Sequence, residues 1–122
     1  MDRNRNIVVE LNGRTLGFRV DNWVLRETQR KCGCKGVVEL LTRIGLDDGN
    51  MDIEAFTILI MEAYNEYQYF NKVEVKIDER SASNLIDEMG GIIQSLEIIT
   101  EALQTYIPKN SQPPLQVGET SQ

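Results

Sequence analysis

The chain has 122 residues and no histidine. Without an imidazole, the usual general base near neutral pH is missing. No nucleophile elbow, phosphate-binding loop or dinucleotide fingerprint takes its place. No catalytic residue is assigned, and the chain is not expected to be an enzyme. Proline is confined to positions 108, 113 and 114, so it interrupts nothing before residue 108. No apolar run approaches the ~18 residues of a membrane span. The start, MDRNRNIVVEL, lacks the apolar stretch of a secretory leader, and a cytoplasmic location is expected. The two cysteines, Cys32 and Cys34, are one residue apart. A bridge between them would close a small strained ring, so free thiols in a reducing compartment are expected. They supply half of the four ligands of a closed zinc site. Asp47-Asp48-Gly49-Asn50 lacks the spaced oxygens and closing glutamate of a calcium loop and reads as a plain turn. No metal and no cofactor are expected.

What is present is acidic and apolar. Net charge is −6, which argues against nucleic acid as the main partner. Residues 1–45 carry nine Lys/Arg and five Asp/Glu, a balance of +4. Residues 46–122 carry four and fourteen, a balance of −10, and the two sum to −6. Either the halves fold against each other, or the basic half of one subunit meets the acidic half of another in a homo-oligomer.

The dominant stretch is Met51 to Phe70, MDIEAFTILIMEAYNEYQYF, with neither Gly nor Pro over about five helical turns. Asn50 or Asp52 suits its N-cap. At about 100° per residue, Ile53, Phe56, Leu59, Ile60, Ala63, Tyr64, Tyr67 and Phe70 share a face expected to be core. Ile58, Met61 and Tyr69 project from the other side and are expected to be a partner-binding surface. Ile92 to Ile107 reads as the last helix. Its apolar positions span about 220°, more than the ~100° stripe of a helix packed on one face. Ile93 and Ile98 join the expected binding surface.

The rest is ordered around these. Ile7–Leu11 and Thr15–Val20 flank Asn12-Gly13, the strongest short hairpin signal, because a type I′ turn needs positive φ at both central residues. A two-residue loop sets Leu11 opposite Arg14, Val9 opposite Leu16 and Ile7 opposite Phe18. Asp21 or Asn22 caps a helix ended by Gly33, with Trp23, Leu25, Thr28 and Cys32 inward. Arg26, Arg30, Lys31 and Lys35 read as its solvated side. A short helix carries Val37, Leu40, Leu41 and Ile44. Lys72 to Asp78 alternates like a third short edge strand, and an extended loop fits the same letters. Ser81 or Ser83 opens a helix ending near Met89. The expected fold is α+β and mainly α: one domain over 1–107, a hairpin then four to five helices, and a disordered tail over 108–122.

A short apolar strand, an Asn-Gly turn, a strand ending Phe18-Arg19-Val20-Asp21, and the Leu85–Met89 helix leading into the last one resemble the tail assembly chaperones of long-tailed bacteriophages. The likeness spans about residues 5–107. It implies a small, mostly helical protein in the host cytoplasm that keeps the hydrophobic tape measure protein soluble and brings tail tube subunits to it, without ATP. Such chaperones are often made in two lengths by ribosomal slippage, and Pro108-Lys109-Asn110 admits a slippery CCA-AAA-AAC run. The alternative from a different class is a regulatory adaptor docking another protein through the same helices.

Overall fold

A computed structural model describes residues 6–45 and 51–106. The Asp47–Asn50 turn and the 108–122 tail lie outside the described residues. Strands β1 (Asn6–Leu11) and β2 (Arg14–Arg19) form an antiparallel hairpin. Five helices follow: α1 (Asn22–Cys32), α2 (Val37–Arg43), α3 (Ile53–Phe70), α4 (Glu79–Glu88) and α5 (Ile92–Tyr106). The fold is α+β and mainly helical, as the sequence implies.

The hairpin follows from its turn. Asn12 and Gly13 have φ of 51° and 79°, and the register pairs Leu11 with Arg14, Val9 with Leu16 and Ile7 with Phe18. Leu16, Phe18 and Val20 are fully buried. A lone ribbon is marginal in water, and this one lies against α3, with α5 beside β1. The Tyr67 ring lies directly on Gly17, where a Cβ would come within 2.3 Å of it. Gly17→Ala forces that ring off the strand. Chemical denaturation should show a loss of about 1–3 kcal/mol, the usual cost of overpacking.

Helix starts are set by carboxylates. Asp21, Asp52 and Asp78 accept from the N–H groups of Val24, Ala55 and Ser81. Each satisfies a donor that the first turn leaves unpaired. Ser81 and Ser83 are therefore not the cap of α4. Gly33, at φ 74°, ends α1. Arg43 joins three elements: it donates to the Cys32 carbonyl, pairs with Glu39 and lies 3.7 Å from Asp52, whose N–H in turn donates to the Arg43 carbonyl.

α3 is the centre of the molecule. It packs against the hairpin, α1, α2 and α4, and every residue from Ala55 to Ala63 is buried. A helix apolar around its whole circumference is a core helix. Ile58 and Met61 are therefore core, at 1% and 7% exposure, and not the partner surface expected from the sequence. The ends of α3 outrun these neighbours, so Ile53 and Phe70, expected in the core, are exposed. Ile98 is half-buried against the core, while Ile93 is exposed.

Among the described residues no third strand forms, and residues 73–78 stay outside the sheet. Asn65 on α3 holds the segment instead, accepting from the Ile77 N–H and donating to the Ile77 carbonyl. Its amide imitates one residue of a neighbouring strand, and the Val73 N–H donates to the Gln68 carbonyl at the end of α3.

Candidate binding groove

A groove of about 460 Å³ runs between α1, from Trp23 to Lys31, the second half of α3, from Glu62 to Tyr69, and Lys76. Trp23 and Tyr69 line it, and both are more than half exposed. Trp23 was expected inward. It sits in the first turn of α1, beyond the edge of the core, with the Arg26 guanidinium 5.2 Å from its ring centroid. Tyr69 packs edge-on to Phe70, and the Arg19 guanidinium covers the Phe70 ring at 3.9 Å. A second depression, lined by Tyr69, Val73 and Lys72 among others, continues the groove along the 72–76 segment. Val73 and Val75 are exposed there.

The floor is ionic. Glu62 and Glu66, one turn apart on α3, line it and are almost fully buried. Glu62 pairs with Lys31 of α1. Glu66 faces Asp21, which also accepts from Arg19 at 3.2 Å. Burial pushes the Glu66 carboxyl up to about 8. The hydrogen bond and the charge of Asp21 add to this, Arg19 opposes it, and Glu62 reinforces it. At neutral pH Glu66 therefore holds its proton.

Of the five side chains expected to bind a partner, Tyr69 alone lines this groove. Ile93 is exposed on α5, away from it, and Ile58, Met61 and Ile98 belong wholly or partly to the core. Trp23, Lys31, Glu62, Asn65, Glu66 and Lys76 also line the groove and were not among those five. One signal was available: two like charges four residues apart on an apolar helix are unfavourable unless something answers them.

The two aromatic rings offer large contact area at low entropic cost. Among the described residues, no cluster of three or more potential ligands is placed to hold a metal ion, and no helix is long and apolar enough to cross a membrane. Comparison with protein-family models, curated proteins and solved structures finds no match to this chain.

Proposed function

We propose that this chain is a non-enzymatic tail assembly chaperone of a long-tailed bacteriophage, working in the host cytoplasm. It holds an apolar segment of the tape measure protein in the Trp23–Tyr69 groove and recruits tail tube subunits to it. The observation that carries this reading is the groove itself: two exposed aromatic side chains over buried carboxylates, on an otherwise well-covered core. The order of elements, a hairpin and then five helices, is the one the resemblance implies. An acidic body with net charge −6 keeps a complex with an aggregation-prone client dispersed. By mass action, such a binder holds its client in solution without consuming ATP.

Co-expression with the tape measure protein of the same phage tests the proposal. The wild-type chain should bring the client into the soluble fraction. Trp23→Ser with Tyr69→Ser should abolish this while shifting the melting temperature by only a few degrees, since both side chains are largely in solvent. A client that stays insoluble beside the wild-type chain would instead favour a regulatory adaptor. Binding to DNA that weakens steeply with salt would favour a nucleic-acid role.

A further inference from the structure

Two thiols meet at the C-terminal end of α1, and client binding makes no use of them. Cys32 is the last residue of α1, and Gly33 follows in the left-handed region. The N–H groups of Gly33 and Cys34 both donate to the Gln29 carbonyl, so the chain doubles back on the helix. Residues two apart on a continuing helix would not face each other. Here the reversal brings Cys34 Sγ to 3.2 Å from Cys32 Sγ. Both thiols are free and only half-buried, within reach of small molecules.

The spacing separates two chemistries. A tetrahedral zinc with Zn–S of about 2.3 Å holds its sulfurs about 3.8 Å apart and needs two further ligands. Among the described residues, none are placed to supply them. A disulfide needs about 2.05 Å, and side-chain rotation closes the remaining gap.

We propose that Cys32 and Cys34 form a reversible intramolecular disulfide, so that the Cys-Gly-Cys turn is a thiol–disulfide exchange site for small disulfides of the glutathione type. The Cys32 thiolate attacks one sulfur of the oxidised small molecule, forming a mixed disulfide and expelling one thiolate. Cys34 then gives its proton to solvent and attacks Cys32 Sγ, expelling the second thiolate. The two protein thiols lose two electrons, the small disulfide gains them, and the two protons released end on the two expelled thiols.

Burial, and then the hydrogen bond with Cys32, push the Cys34 thiol up to about 11. The negative end of the α1 dipole acts in the same direction. Cys34 is thus the poorer first attacker and serves as the resolving thiol, with a rate that rises with pH. The strain of so small a ring makes the product readily reduced, which suits exchange rather than permanent stapling.

Incubating the full chain in mixtures of oxidised and reduced glutathione, with acid quenching and intact mass measurement, tests this. The expected product is a monomer lighter by two hydrogens, its ratio to the dithiol form rising with oxidised glutathione and falling with the square of reduced glutathione. Cys32→Ser and Cys34→Ser should each accumulate about tenfold or more of the mixed glutathione adduct than the wild type, because a neighbouring thiol at high effective concentration is gone. Three results would overturn the proposal: a wild type that accumulates the adduct as the variants do, disulfide-linked dimers as the main product, or thiols unchanged at every ratio.

Discussion

Replacing Ile58 by Ala should lower the unfolding free energy by about 2–5 kcal/mol, the usual result of emptying a fully buried aliphatic site. Ile58 is 1% exposed in the middle of α3, where the helix is covered on every side. Small domains have about 5–15 kcal/mol in total, so the loss is a large share. Met61→Ala should fall in the same range, toward its lower end, because Met61 retains some exposure and a flexible side chain leaves a site that collapses more easily. Urea titration checks both. A change under about 0.5 kcal/mol at Ile58 is what a surface position would give, and it would contradict the central place of α3.

Stability should fall as pH rises from about 4.5 to about 8, and Glu66→Gln should flatten that fall. The Glu66 carboxyl has an ordinary value of 4.5 when the chain unfolds and about 8 when it is folded. Between these values the folded state holds a proton that the unfolded state has released. Stability therefore decreases with pH across this window, by up to about 1.4 kcal/mol per unit. Burial fixes the sign, Asp21 and Glu62 add to it by repelling a charged Glu66, and Arg19 offsets only part of this. Below the window the opposite limb appears. Arg30 lowers Glu27, the Lys35 N–H lowers Glu39 and the Ser81 N–H lowers Asp78, so acid removes stability as these groups protonate. The optimum should lie at about pH 4.5, the acid edge of that window. Denaturation of wild type and Glu66→Gln across pH 4–9 decides it; superimposable profiles would remove Glu66 as the cause.

The hairpin was legible to the residue, because Asn12-Gly13 admits one tight turn and the period of two leaves one register with Leu16 and Phe18 inward. The span of α1 was legible too, because Asp21 and Gly33 are a cap and a stop. What the sequence did not show was how many neighbours α3 has. A helical projection sorts side chains by direction and is silent on what stands in each direction, so Ile58 and Met61 read as surplus when they are the middle of the core. The same silence hid the groove. Trp23 was expected inside because large apolar side chains usually are, yet a first helical turn often lies past the edge of the packed layer. The bridge from Asn65 to Ile77 joins a helix to a segment twelve residues on, and no local pattern announces it.

The Arg43 clasp has a practical consequence. Its side chain and carbonyl already fasten Asp52, so the register of α3 against α2 is set by residues 43 and 52 themselves. Extra residues spliced between them would lengthen a closure that is secured on both sides, at about 0.6 kcal/mol per doubling of length. A fluorescent reporter or affinity tag placed there would leave the aromatic groove open.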